Sequence, residues 1–421
     1  MNSERECYVY IVPPGTTEFV TAGRFRWSEN SVGPVGEFVY GRTYRERADA
    51  VELDPVELRL SNQIYETARL GEFFGAIRDS LPDFWGRRVI QRNAGFAVLE
   101  EFDYLLRGPD DCAGALGFGL NVDPPAPRRQ FNRTLDLEKL QKAADAIIAD
   151  DPGLVGSVNN QVEEFLLLGT SMGGARPKAV VQDDQSLWLA KFSRNDDRWN
   201  HPCVEHGLLT LARACGLNVA DSRILTVAGG DVLLVCRFDR DQTESGYRRY
   251  QMVSALTLLR AGDSPGERSD WSYLLFADKI RRASMDPESD LRGLFKRMCF
   301  NAAVSNLDDH PRNHAILAKG NGWRLSPAFD LTPSLVISID RRDLAMACGR
   351  FGRYANRRNL LSESGRFLLV EDDAIAIFER ITRTVREQWR PTMHRAGVTE
   401  RDCEAIRNAF VYDGLFYENV D

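Results

Sequence analysis

The chain has 421 residues, 43% hydrophobic and 27% charged, with a formal net charge of −7. Its length exceeds one comfortable hydrophobic core and predicts two or three domains or lobes, and its acidic balance excludes a general attraction for nucleic acid. No apolar run approaches the roughly 18 residues of a membrane helix, and the charged opening "MNSERECYVYIV" lacks the apolar core of a secretion signal.

Residues 6–60 read as strands and turns. "CYVYIV", "EFVTAGRFRW" and "GEFVYG" are rich in β-branched and aromatic residues and are punctuated by Pro and Gly. Around residue 71 the period changes, and "FFGAIRDSLPDFWGRRVIQRN" is predicted helical with a break at Pro82. The Pro-rich, polar stretch 117–131 is the best linker candidate. Residues 135–150 predict an amphipathic helix, with Leu137, Leu140, Ala144 and Ile147 at helical spacing.

"LLLGTSMGGARPKAVVQDDQSLWLAKFS", 166–193, predicts a Gly-rich turn between two strands, the second being "SLWLAKF". Residues 202–216 predict a helix with Gly216 just past its end. "GDVLLVCRFDR", 230–240, predicts a buried strand entering a charged turn. Beyond about 250 the pattern is mainly helical, including 294–304 with Phe295, Met298, Cys299 and Ala302 on one face, and two helices in 371–410. The exception is "HAILAKGNGWRLSPAFD", two short strands around a hairpin-type turn. The order predicts an α+β protein, β-rich in front and helical behind.

The eight cysteines form no C-x-x-C pair, so neither a zinc knuckle nor a redox pair is suggested. They read as reduced thiols of a cytoplasmic protein. The arginine-rich segment 341–358 reads as a solvated loop or helix face, with a local basic patch as the sharper alternative.

"SNLDDHPRNHAIL", 305–317, places acids, histidines and an asparagine directly after an apolar helix. Asp308 and Asn313 are separated by four residues, and Asp330 follows one hairpin later. Phosphoryl transfer needs this set of groups: a carboxylate to accept a hydroxyl proton, and an amide oxygen with a second carboxylate to hold Mg²⁺. The bland alternative is an Asx-type turn capping the helix. "TSMGGARPK", 170–178, could cradle phosphate oxygens through the backbone around Gly173 and Gly174, or be a plain turn. Lys191 stands in an otherwise apolar strand, where an ammonium is costly unless paired; a nucleotide phosphate and Glu205 of the next helix would pair it, or it reaches water from an edge. Gly-rich turn, strand lysine, helix glutamate, D-x-x-x-x-N and metal aspartate occur here in the chain order of protein kinases. His310 and His314, at i and i+4, could ligate a metal only on a helix, which Pro311 opposes; His310 reads instead as orienting the loop or touching phosphate.

These motifs together resemble the HipA family, the serine/threonine kinase toxins of bacterial type II toxin–antitoxin modules. "GEFFGAIRDSLPDFWGRRVIQR", "TSMGGARPKA", "RFDR", "NLDDHPRNH" and "LSPAFDLTPS" carry the resemblance across nearly the whole chain. It implies a two-lobed, protein-kinase-like fold: an N-terminal subdomain in 1–125, a small-lobe part in 126–240 and a helical catalytic lobe in 241–421. It implies Asp308 as catalytic base, Asn313 and Asp330 as Mg²⁺ ligands, and Lys191 on the ATP phosphates. Gly173, Gly174, Ala175, Arg176, Pro177 and Lys178 would wrap those phosphates, with His310 beside them, and Cys236, Arg237 and Phe238 would line the adenine. Ser171 matches the serine that family members autophosphorylate, and Cys236 departs from the acid usual at its position. The resemblance further implies a HipB-type helix-turn-helix antitoxin as partner, DNA contacted through that partner, no membrane, and a protein substrate in translation such as an aminoacyl-tRNA synthetase. The alternatives are a small-molecule phosphotransferase and a non-catalytic, antitoxin-binding co-repressor.

Overall fold

The computed structural model describes residues 4–30, 33–95, 98–149, 174, 176–319, 322–334 and 338–418. The chain divides into two compact units, each discontinuous in sequence. The first comprises Met1–Phe192, Cys236–Val253 and Leu317–Asn321; the second comprises Ser193–Val235, Ser254–Ile316 and Gly322–Asp421.

In the first unit, β1 (Glu4–Ile11), β2 (Val20–Asn30), β3 (Gly33–Tyr40), β4 (Ile64–Thr67) and β5 (Leu116–Gly119) form an antiparallel sheet in the order β4-β3-β2-β1-β5. Alternation along the strands turns one face inward. Phe25 and Phe38 stand opposite each other in the β2–β3 register, both fully buried. Phe73, Phe74 and Phe102 pack on Phe25 with ring centroids 5.2, 6.3 and 6.1 Å away. The turn carrying Glu72 crosses β3 so closely that a Cβ on Gly36 would lie 2.0 Å from the Glu72 carbonyl oxygen, so only glycine fits there. The expected helix breaks at Pro82 into α1 (Gly75–Asp79) and α2 (Phe84–Asn93), and α3 (Glu101–Arg107) follows.

Further along, β6 (Asn132–Arg133) runs parallel to β7 (Lys178–Gln182), which pairs antiparallel with β8 (Leu187–Phe192). Between them lies α4 (Leu137–Ala149), whose Leu137, Leu140, Ala144 and Ile147 are buried at the spacing read from the sequence. The Pro-rich stretch 117–131 lies inside the first unit, and Phe131 at its end packs on Tyr247, centroids 5.5 Å apart. Tyr247 belongs to a hairpin, Arg240–Thr243 with Gly246–Arg249, that the sequence pattern did not reveal.

The second unit is mainly helical: α5 (His201–Ala214), α6 (Tyr273–Ala283), α7 (Pro287–Ala303), α8 (Glu371–Arg395) and α9 (Glu400–Ile406). An antiparallel pair, β9 (Ser222–Val227) and β10 (Gly230–Cys236), precedes most of them. α8 packs on α5 and on α7. Phe295, Met298, Cys299 and Ala302 of α7 are fully buried, but so are the polar Arg297 and Asn301, so the last turns of this helix have no solvent face. The two short strands expected before Asp330 are β11 (Ala315–Ala318) and β12 (Trp323–Leu325). The fold class is α+β, β-rich in its first part and helical later, as the element order predicted.

Seven of the eight cysteines are buried, Cys236 is half-buried, and none is in a disulfide. Among the described residues no helix is long and apolar enough to cross a membrane, and no group of three or more His, Cys, Asp or Glu is arranged to hold a metal. Segment 341–358 is held by its own arginines: Arg342 donates to Ser305 Oγ and stacks over Tyr412, and Arg341 lies over Tyr354.

Candidate active site

In the second unit, α7 stops at Ala303, and Ser305 takes a left-handed φ of 50° that turns the chain out of the helix. The turn that follows uses the Asp308 carbonyl twice: the His310 amide donates to it at 2.8 Å, and Asn313 Nδ2 reaches it at 3.4 Å. The Asn313 amide closes a 3₁₀ turn on the His310 carbonyl at 2.9 Å. This curl leaves the Asp308 side chain exposed and commits the nitrogen end of the Asn313 amide; the Asn313 oxygen, with no hydrogen-bond partner among the described residues, remains for a ligand.

Asp309, the next residue, is 1% exposed. It accepts hydrogen bonds from Asn301 Nδ2 at 2.7 Å, from His314 Nε2 at 2.7 Å and from the Tyr273 hydroxyl. Arg297 donates to His314 Nδ1 at 3.2 Å and to the Ser326 carbonyl at 2.7 Å. These partners fix the imidazole with its proton on Nε2. Burial holds the His314 ring below its usual range, so it stays neutral between Asp309 and Arg297. Burial also pushes Arg297 down to about 10, which leaves it charged at neutral pH. His314 is thus a strut of the loop, and the Asp309–His314–Arg297–Asn301–Tyr273 network is what sequence reasoning missed.

Asp330 arrives on a segment tied to both ends of that loop. The Ser326 amide donates to the Ala315 carbonyl at 2.9 Å, the Ser334 amide to Ser305 O at 2.9 Å, and the Leu307 amide to Ser334 Oγ at 3.1 Å. The Asp330 backbone is left-handed, φ 57°, a strained state for a residue with a Cβ. His310 Nδ1 is buried without a hydrogen-bond partner among the described residues, and the ring lies 6.4 Å from that of Trp271. An orphaned imidazole nitrogen, an uncommitted amide oxygen and a carboxylate on a strained turn fit a ligand that brings hard oxygens and a cation.

In the first unit, Lys178 opens β7 and stands opposite Lys191 of β8. Lys178 is 1% exposed. Its ammonium donates to Asp83 Oδ2 at 2.6 Å and to the Gly174 carbonyl at 2.9 Å. Gly174 has a left-handed φ of 97°. Ser171, Gly173 and Ala175 lie outside the described residues, whereas Arg176 and Pro177 lead into β7. Cys236 and Phe238 are half-buried. The Arg237 side chain has no exposed surface and is used by the fold: it pairs with Asp111 at 2.5 Å and with Asp239 at 2.8 Å. Arg240 joins them, pairing with Asp239 and donating to the carbonyls of Cys112 and Gly114. Any contact from Arg237 to a ligand therefore comes from its backbone. The charges in "PDDC" and "RFDR", set against apolar neighbours, were the available signal for this cluster. Glu205 is buried within α5 of the second unit.

Comparison with known proteins agrees with this architecture. The model described as HipA N-terminal domain matches residues 18–119, and that described as HipA-like C-terminal domain matches residues 170–389, just over half of the chain. A Sinorhizobium fredii protein named "Putative kinase Y4mE" is 26% identical over 344 residues, covering 77% of this chain and 78% of that protein. HipA of Shewanella oneidensis MR-1, solved in complex with HipB and its operator DNA, superposes with a TM-score of 0.68 at 16% identity, covering 96% of this chain and 94% of that one. On the match to both domain models, the chain belongs to the HipA family.

Proposed function

We propose that this chain is an ATP- and Mg²⁺-dependent kinase that phosphorylates a serine or threonine hydroxyl of a protein and acts as the toxin of a type II toxin–antitoxin module. The observation that carries the reading is the pairing of an exposed Asp308 with Asn313 on one curled loop, to which the segment bearing Asp330 is hydrogen-bonded at both ends. Asp308 accepts the proton of the incoming hydroxyl. The Asn313 oxygen and the Asp330 carboxylate would hold Mg²⁺, which when bound neutralises charge on the transferring phosphoryl group. His310 would donate to a phosphate oxygen from its ring. Lys191 would meet the phosphates, and the backbones of Gly174 and Arg176–Lys178, Cys236 and Phe238 would hold the nucleotide in the first unit. Catalysis on this reading is positioning and charge compensation, with little covalent work for the protein.

The likeness to a HipA solved with HipB and operator DNA supports a HipB-like helix-turn-helix partner, with DNA met through that partner. The relative named as a kinase supports phosphoryl transfer, and a component of translation, an aminoacyl-tRNA synthetase among them, is the substrate we infer from the family resemblance. The test is transfer of labelled γ-phosphate in a cell lysate by the wild-type chain and by Asp308→Asn. A labelled protein band that disappears with the variant supports the kinase. Label confined to small molecules supports a small-molecule phosphotransferase, and no transfer by the wild type favours a co-repressor.

A further inference from the structure

Lys178 is gripped at both its side chain and its backbone by one turn of the N-terminal HipA segment. A buried ammonium costs several kcal/mol unless paired, and the carboxylate that pairs this one is Asp83, 95 residues earlier in the chain. Asp83 is itself held in place. It is the N-cap of α2, where its Oδ1 accepts the Gly86 amide at 2.8 Å and the helix N-terminus favours its negative charge. One oxygen thus caps the helix and the other receives the lysine. Two residues on, the Trp85 indole, 2% exposed, donates to the Lys178 carbonyl at 3.1 Å. The Lys178 ammonium then reaches back to the Gly174 carbonyl, so the placement of Gly174 depends on where Asp83 holds the lysine. Lys178 also stands directly across from Lys191. Like charges so placed repel, and Asp83 compensates the inner one.

We propose that Asp83 and Trp85 are positioning residues of the nucleotide site: they fix the strand end from which Gly174 and Lys178 approach the phosphates. This rests on the kinase reading above. It makes the "DSLPDFWG" motif of the N-terminal domain a working part of the phosphate-binding apparatus, and Lys178 a tether whose charge is spent inside the protein. Loss of the tether is expected to weaken nucleotide binding far more than turnover of bound nucleotide, because Asp83 touches none of the reacting groups.

The test uses the full chain with MgATP, measuring Kd by calorimetry and KM against kcat in labelled phosphate transfer. Asp83→Asn is expected to raise Kd and KM for ATP by about tenfold or more, the loss of a buried charge-assisted bond, with kcat at saturating ATP within about threefold. Asp83→Glu restores most of the affinity, and Trp85→Phe, which keeps the ring and deletes the N–H, raises KM by about two- to fivefold. A folded Asp83→Asn with wild-type KM and Kd overturns the inference. Should that variant not fold, Trp85→Phe decides, and an unchanged KM overturns it. A wild-type chain that neither binds MgATP nor transfers phosphate overturns the kinase reading, and this inference with it; wild-type binding with unaltered variants overturns the inference alone.

Discussion

Asp308 and Asp309 are adjacent and chemically identical, yet the fold gives them opposite work. Asp308 is exposed, its backbone carbonyl serving the turn while its carboxylate faces outward. Asp309 is 1% exposed and accepts from three side chains, next to an Arg297 whose charge it helps to compensate. Asp308→Asn is therefore expected to leave stability within about 0.5 kcal/mol while abolishing phosphate transfer. Asp309→Ala strands the Tyr273 hydroxyl, the Asn301 amide, His314 and Arg297 together. It should cost about 3–5 kcal/mol in denaturant unfolding, and a smaller loss would show that the network is not holding the loop. The Asp308-to-Asn313 spacing singled out Asp308 in the sequence because that spacing is set within one turn of chain, and the fold leaves this acid exposed. Nothing local distinguished Asp309. Its partners lie up to 36 residues away on two helices, and the proton arrangement of His314 exists only once Arg297 arrives on its other side.

α5 shows the same division between local and distant information. Its limits were legible because each end is a local device. Asn200 accepts the Cys203 amide at the N-terminus. At the C-terminus the Gly216 amide bonds to Arg213 O and the Leu217 amide to Ala212 O around a glycine at φ 80°. A Cβ on Gly216 would meet nothing nearer than Arg380 at 4.0 Å. Gly216→Ala should then cost only the left-handed penalty, about 1–2 kcal/mol, measured as a lower urea midpoint with an unchanged slope; a loss above that range would mean the turn does more than end the helix. The Arg240–Thr243/Gly246–Arg249 hairpin was invisible for the converse reason. "RDQTESGYRR" has neither apolar alternation nor β-branched enrichment, and its strands are set by cross-strand partners such as Asp241 opposite Arg248 and by Tyr247 entering the Phe131 cluster. α7 was legible as a helix but not as one whose last turns are buried on every side, since Arg297 and Asn301 read as a solvent face until their partners are known.

For the molecule as a whole, stability against pH sums buried carboxyls that pull in opposite directions. Burial pushes Asp239 up, but the guanidiniums of Arg237 and Arg240 outweigh it and hold the group well below its usual range. Such an acid stabilises the fold above its unfolded value of 3.8 and withdraws that support as pH falls further. Asp54 works the other way. It is fully buried, its Oδ1 accepts the amides of Val56 and Glu57, and its Oδ2 has no partner among the described residues. Burial raises it from 3.8 to about 6, against the pull of those amides. Between these two values the folded chain binds more protons than the unfolded one, so the Asp54 contribution to stability declines as pH rises through the window, by roughly 3 kcal/mol in all. The Asp239 contribution changes only below this window, so the two separate. Denaturant unfolding of the wild type and of Asp54→Asn across pH 4 to 6.5 should show the variant gaining stability relative to the wild type with each step upward, levelling near pH 6, because the amide keeps an acceptor for the Val56 and Glu57 amides and carries no charge to bury. A difference that stays flat would mean that the Asp54 carboxylate is solvated or paired in solution, and that the 51–58 turn opens to water.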